Sequence, residues 1–460
     1  MLRTLAGAVR RREIAARELV ARALERIERH DPGIGAVVFL RADDALEEAA
    51  RMDEAIARGE DPGPLAGLPL LVKDIEDLAG APTTFGSLLF ADAPPAADDG
   101  LVPGRLRRAG AIPVGKTNVP EFAIEGFTAN RLFGATRNPW APALSPGGSS
   151  GGSAAALAAG LAAIATASDG GGSIRIPAAC CGLVGIKPTN GLVGRRPIPA
   201  WIDLSTDGPF ATTVEDLRLL LDVEIGPVAG DPAALPTRPP WPGGEPGRVL
   251  AAPRVVDHGP VAPEVATAFE AALGALEQIL GLEITPIEPA AIFRAGNPDD
   301  DWFTIAATEH LEQLGRAVVE ANLERLHPSS RAFFEIGLAT PLERYLAARR
   351  RRFDYVRELD ELLGDDGILA TPTLAWAGWP AEGPADAPGM PAEVFNTAVQ
   401  NLTGHPAVSL PAGVLPTGLP FGLQLTGPRF RDDLVLDAAE RWERARPWTP
   451  AAPGYEPFDA

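Results

Sequence analysis

Between residues 145 and 191 the chain reads SPGGSSGGSAAALAAGLAAIATASDGGGSIRIPAACCGLVGIKPTNG, a run dominated by glycine, serine and alanine. Low-complexity linkers share this composition, but a disordered linker would not be so apolar, and the order here is structured. A Gly-Ser loop leads into an Ala-rich stretch that reads as a helix from about Gly152 to Gly160. A short strand ending near Ser168 follows, and then a second Gly-Ser loop. The helix has almost no side-chain bulk, so other elements can approach it closely. Ser149 and Ser173 lie in the two loops, 24 positions apart. One helix up and one strand back return the chain to the same end of a sheet, so the two serines can meet.

The rest of the chain alternates helix and strand. EIAARELVARALERIERHD carries Ile14, Leu19, Val20, Ala23, Leu24 and Ile27 at helical spacing, with charge on the other face. GIGAVVFL at 33–40 reads as a strand, 45–59 as a helix ending at Gly59, and GLPLLVKDIED at 67–77 as a buried strand carrying Lys73. A helix over 103–110 stopped by Gly110 precedes a strand over 111–116. Seven prolines and five glycines between Gly226 and Gly247 predict a long connecting loop. Helical periodicity resumes at 262–280 and 343–363, a strand is expected at 367–373, a second Pro/Gly-rich loop at 374–391, and closing strands near 405–427. Alternation of this kind implies an α/β fold.

Composition excludes several functions. A net charge of −20 and a pI near 4.8 argue against nucleic acid or anionic membrane as partner, because both would repel the chain. The longest apolar stretch, 154–167, falls short of the roughly 20 residues a membrane span needs. No targeting segment is read, so a cytoplasmic protein is expected. The two adjacent cysteines, Cys180 and Cys181, give neither a disulfide framework nor metal-ligand spacing, so no metal or cofactor is expected.

Lysine is the informative residue. Lys and Arg total 41, yet only Lys73, Lys116 and Lys187 are lysines. A lysine is kept against arginine either by a buried slot too narrow for a guanidinium or by chemistry that needs an amine able to lose its proton.

Three motif readings compete. GAIPVGKT at 110–117 satisfies the Walker A pattern of a nucleotide-binding enzyme, but a phosphate cradle follows a strand and opens a helix. Here Gly110 ends a helix and the motif itself is strand-like, so Lys116 reads as structural. GGSSG at 147–151 matches a nucleophile elbow at Ser149, but the preceding PWAPALSP holds three prolines where a strand is required, and His310 and His405 both read as structural. The third reading joins both glycine-rich loops to Lys73. A nucleophile, a base, and glycines whose N–H groups can converge on an oxyanion are the parts of an acyl-transfer site.

Taken together, GGSSGGSAAA…SDGGGSIRIPA, GLPLLVKDIED, VGKTNVPEF, FGATRNPW, CGLVGIKPTNG, NLTGHPAVSLPAG and GLPFGLQLTG closely resemble the blocks of the amidase signature enzymes. The resemblance is dense over residues 5–225 and thinner over 365–445. It implies one large domain, residues 1–460, with a central mixed, twisted β-sheet covered by helices on both faces. Its signature core would span about 60–225, a helical insertion about 226–365, and closing strands and helix about 366–460.

The resemblance also implies a Ser–cis-Ser–Lys triad of Ser173, Ser149 and Lys73, with an oxyanion hole from the backbone N–H groups of Gly170, Gly171, Gly172 and Ser173. Asp169 and Arg175 would hold the loop together. Gly170 replaces a residue that is often Thr or Ile in the family, a change expected to loosen the loop and enlarge the pocket beside it. Pocket walls are expected from Ala123, Ile124 and Phe127, and by position from Trp376, Trp379 and Phe395. The expected activity is hydrolysis of small amides through an acyl-enzyme, with esters and carbamates as further substrates. The alternative is the amidase component of a glutamine-dependent amidotransferase complex. A monomer or homodimer acting on a small molecule is expected, and an ion pair of Lys73 with Asp74, Glu76 or Asp77 is the competing structural role for that residue.

Overall fold

The computed structural model describes residues 1–256, 260–384 and 396–459. The amphipathic pattern near the N-terminus forms the helix Ala16–His30, which buries Leu19, Val20, Ala23 and Ile27. The next helix, Ala42–Ala57, ends two residues before Gly59, which adopts φ +88°. Left-handed backbone of this kind suits glycine, which has no Cβ to clash.

Four strands form one sheet. Val37–Leu40 runs antiparallel to Ile112–Thr117, which lies parallel to Pro69–Lys73, itself parallel to Ile164–Ala165. All five residues of PLLVK are buried, as its unbroken apolar run leads one to expect of a strand covered on both faces. In this register Lys73 is the last residue of its strand, opposite Thr117. The lysine therefore sits where the strand hands over to a loop.

The small-residue helix forms over Gly151–Ala158, and every one of its residues is buried. Its bulk is constrained by its neighbours. A Cβ on Gly152 would lie 2.5 Å from the carbonyl oxygen of Asn118, so the backbone of the strand end packs directly onto the helix. The chain then returns through Ile164–Ala165 and Ser168–Asp169 to the second glycine loop.

A seven-stranded mixed sheet forms the other half, in the order 210–211, 184–187, 407–414, 420–426, 367–372, 248–251 and 284–286. The pairings from 210–211 across to 367–372 are antiparallel, and 367–372 pairs parallel with 248–251, which pairs parallel with 284–286. Strands Gly367–Pro372 and Pro420–Thr426 are buried at every residue, so helices cover both of their faces. No helix or strand forms between 226 and 247, as the proline and glycine content requires.

Among the described residues, five α-helices lie between the two Pro/Gly-rich loops: Pro263–Leu280, Pro298–Leu314, Arg316–Asn322, Pro328–Ala339 and Leu342–Leu363. Helix Pro298–Leu314 has strong start signals, with Asn297 capping the N–H of Asp299, Pro298 in the first turn, and Asp299, Asp300 and Asp301 at the positive end of the helix dipole. It delivers Trp302 and His310 to a hydrophobic core that also holds Phe122, Trp201, Phe333 and Phe334. No helix among the described residues is long and apolar enough to cross a membrane.

Candidate active site

All three lysines are completely buried. Their partners separate them. Lys116 pairs with Asp74 at 2.8 Å and donates to the carbonyl of Pro82 and the hydroxyl of Thr83. Lys187 donates to the carbonyl of Pro188 and to Asn190. Lys73 Nζ lies 2.8 Å from Ser149 Oγ and 3.0 Å from Ser168 Oγ.

No carboxylate among the described residues comes within ion-pair distance of Lys73. Asp74 is taken by Lys116, Asp77 accepts from Thr83, and Glu76 accepts from Thr166, whose oxygen also accepts the backbone N–H of Lys73. Burial pushes the Lys73 amine down to about 7, against the upward pull of Glu76, Asp207 and Asp169. Burial also raises the carboxyls of Glu76 and Asp207, which line the cavity but are otherwise enclosed by protein. Lys187 is likewise pushed down to about 7 by burial. Titration alone therefore does not distinguish the two lysines, but only Lys73 touches serine hydroxyls.

Ser149 follows a cis peptide bond from Gly148. Gly148 has no room for a side chain, since a Cβ there would lie 2.6 Å from the carbonyl oxygens of both Glu125 and Phe127. The second loop is tied by a buried ion pair: Arg175 Nε and Nη2 donate to the two oxygens of Asp169 at 2.9 and 2.8 Å. Arg175 also reaches Gln400, Gln424, Asn401 and the carbonyl of Thr397, which joins the loop to the segment before the closing strands. Burial would raise Asp169, but the guanidinium holds it at about 2. Neither residue lines the cavity.

The glycine run is not uniform. The N–H of Gly172 donates to Asp169 Oδ1 at 2.7 Å, so this donor, expected in the oxyanion hole, is already spent. The N–H groups of Gly170, Gly171 and Ser173 donate to none of the described residues. The space opposite Gly170 is filled: a Cβ there would lie 2.0 Å from Trp201 Cε3 and 2.3 Å from Cζ3, so the edge of the indole abuts the loop. The expected loosening and enlargement at Gly170 is thus corrected, because a tryptophan from residues distant in sequence occupies that volume. Gly170→Ala is expected to destabilise the fold by about 1–3 kcal/mol through overpacking and to lower kcat about tenfold or more. Thermal unfolding and kinetics of Gly170→Ala, Trp201→Ala and the double variant check this, with the double variant recovering much of the loss.

Ser149, Ser168 and Ser173 open on a cavity of about 220 Å³. One side is aromatic, with Phe85, Phe122, Trp201 and His310; another carries Glu76, Asp77 and Asp207, and the segment Arg195–Ala200 rims it. The antiparallel pairing of Ser168–Asp169 with Thr206–Asp207 brings this segment over the glycine loop. Of the expected pocket residues among the described ones, only Ala123 lines the cavity. Ile124 and Phe127 are buried in the core, and Phe127 packs on Trp379 and His327. Trp376 and Trp379 meet edge-to-face away from the cavity, and Phe395 lies outside the described residues. The 195–207 segment, Trp201 above all, carried no sequence signal that marked it as a wall.

The competing motifs find no support in the geometry. Gly115, Lys116 and Thr117 lie within a strand, not at the start of a helix. His310 sits among Phe122, Trp201, Phe333 and Phe334, and burial lowers it to about 4, so it is a neutral ring in the cavity wall. His405 faces Asp360 at 3.1 Å. Ser149 is partnered by an amine instead.

These features, two serines and an unpaired amine beneath a glycine loop in an α/β fold, are those of a hydrolase that works on acyl groups, and the amidase family model matches residues 18–436; the chain belongs to the amidase signature family. An acylamidase of Rhodococcus erythropolis is 33% identical, over 98% of this chain and 96% of its own. The glutamyl-tRNA(Gln) amidotransferase of Synechococcus sp. (strain CC9605) has one subunit that is 36% identical, over 94% of each chain. The crystal structure of a bacterial aryl acylamidase superposes with a TM-score of 0.87 at 28% identity, covering 96% of this chain and 95% of that one.

Proposed function

We propose that the protein hydrolyses linear amides through an acyl-enzyme, with Ser173 as nucleophile, Ser149 as proton relay and Lys73 as base. The observation that carries this reading is the Lys73–Ser149 contact at 2.8 Å, made by a wholly buried amine that has no carboxylate partner among the described residues. A neutral amine accepts the proton of Ser149, which in turn accepts that of Ser173 as its oxygen attacks the carbonyl carbon. The open N–H groups of Gly170, Gly171 and Ser173 receive the oxyanion. On collapse the C–N bond breaks, and the proton returns through Ser149 to the departing amine. Water then enters by the same relay and releases the acid. Ser173 forms no hydrogen bond to Ser149 in the resting structure, and catalytic bonds of this kind commonly tighten only with substrate bound.

The aromatic wall of Phe85, Phe122, Trp201 and neutral His310 favours apolar and aryl amides, and an acylamidase and an aryl acylamidase are among the relatives. Esters and carbamates present the same electrophilic carbon and are expected as secondary substrates. The amidotransferase relatives support a second reading, in which the chain releases ammonia from glutamine for a partner. Purified chain assayed alone on p-nitroanilides, esters, carbamates and glutamine separates them. Turnover of anilides without a partner supports the first, and turnover of glutamine alone the second.

A further inference from the structure

The expected oxyanion donors belong to successive peptides that are held very differently. The peptide Gly171–Gly172 is closed at both ends: Thr397 Oγ1 donates to its carbonyl at 2.6 Å, and its N–H goes to Asp169. The peptide Gly170–Gly171 is closed at one end only. Its carbonyl accepts the indole N–H of Trp302 at 2.8 Å, while its N–H, on a buried residue, has no partner among the described residues. A buried amide without a partner is costly and rare, so an open one two residues before Ser173, in the loop whose Gly170 and Ser173 line the cavity, marks a donor site awaiting its ligand.

We infer that Trp302 is a positioning residue for the oxyanion hole: by holding the Gly170 carbonyl it aims the Gly171 N–H at the carbonyl oxygen of the substrate. Geometry supplies the link. The Gly170–Gly171 bond is trans, because the cis bonds among the described residues lie at 148–149 and 196–197. In a trans peptide N–H and C=O point in opposite directions, so fixing one fixes the other. The indole also packs against the Gly171 α-carbon, where a Cβ would lie 2.5 Å from Cζ2, and it is wedged edge-on between Trp201 and Phe303. It is 2% exposed and does not line the cavity, so it acts without touching substrate. A donor on the carbonyl further polarises the peptide and makes its N–H the stronger donor.

This inference rests on Ser173 being the nucleophile. The test replaces Trp302 by 3-benzothienylalanine, which keeps the bicyclic ring and loses only the N–H, alongside Trp302→Phe. Kinetics on an anilide substrate and affinity for phenylboronic acid, whose tetrahedral serine adduct occupies the oxyanion hole, are measured on both, with Ser173→Ala as control. We expect kcat to fall about tenfold, phenylboronic acid to weaken by the same factor, and KM to stay within about twofold. Unchanged kcat and boronate affinity in the benzothienyl protein, or a loss confined to KM, overturns the role of Trp302. Should Ser173→Ala retain activity and boronate binding, the site reading fails first and this inference falls with it.

Discussion

Lys73→Arg will lose at least about 10³-fold in kcat, because arginine keeps the charge but cannot give up its proton at any working pH. The same loss is expected of Lys73→Met, which also separates chemistry from folding. The native amine titrates near 7 and a lysine in the unfolded chain near ~10.4, so burial of Lys73 costs stability. The sign follows from proton counting. Between those two values the unfolded chain binds a proton that the native chain does not, so wild-type stability rises with pH across the window. The cost is complete below about pH 7 and gone near the upper limit. Lys73→Met escapes it and should be the more stable protein at neutral pH, with an advantage that shrinks as pH rises, while remaining inactive. Wild-type kcat/KM should climb through about pH 7 as the amine becomes neutral. Denaturant melts and rate profiles over the same pH range check both.

Ser173→Ala will fall by about 10⁴-fold or more and will take up no fluorophosphonate, since no other group can form the acyl-enzyme. Its stability should stay near that of wild type, because the Ser173 side chain has no hydrogen-bond partner among the described residues and only a hydroxyl is removed. Ser149→Ala provides the contrast: the nucleophile remains and is labelled, though slowly, because its path to the base is cut. Labelling of Ser173→Ala at the wild-type rate would move the nucleophile elsewhere.

Much of this was legible before any coordinates. The helices Ala16–His30 and Pro263–Leu280 and the strands around Lys73 and Lys116 follow from periodicity, and the small-residue helix from composition. The retention of three lysines pointed to enclosed amines, and all three are enclosed. The glycine at 148 and the serines at 149 and 173 stand in loops whose spacing allows them to meet.

What sequence could not supply is the identity of neighbours across the fold. Ile124, Phe127, Trp376 and Trp379 are as apolar as any pocket wall, and nothing local tells a core aromatic from a lining one. Trp201 and Trp302 lie roughly 30 and 130 positions beyond the loop they pack on, outside the blocks that carry the resemblance. Their fit to Gly170 and Gly171 depends on volumes that only coordinates give. Nor does spacing reveal that Asp169 consumes the Gly172 N–H, which turns one of three equivalent-looking glycines into scaffold.

One amine among the three, that of Lys73, is both shifted down to about 7 by burial and joined to a serine hydroxyl. Because the chain has only three lysines, lysine-selective ¹³Cε labelling yields three signals, and Lys73→Met removes the one that matters. That signal should titrate near 7 in wild-type protein and move when Ser149 is replaced by alanine. A Lys73 signal that titrates near ~10.4, or ignores Ser149, contradicts the account.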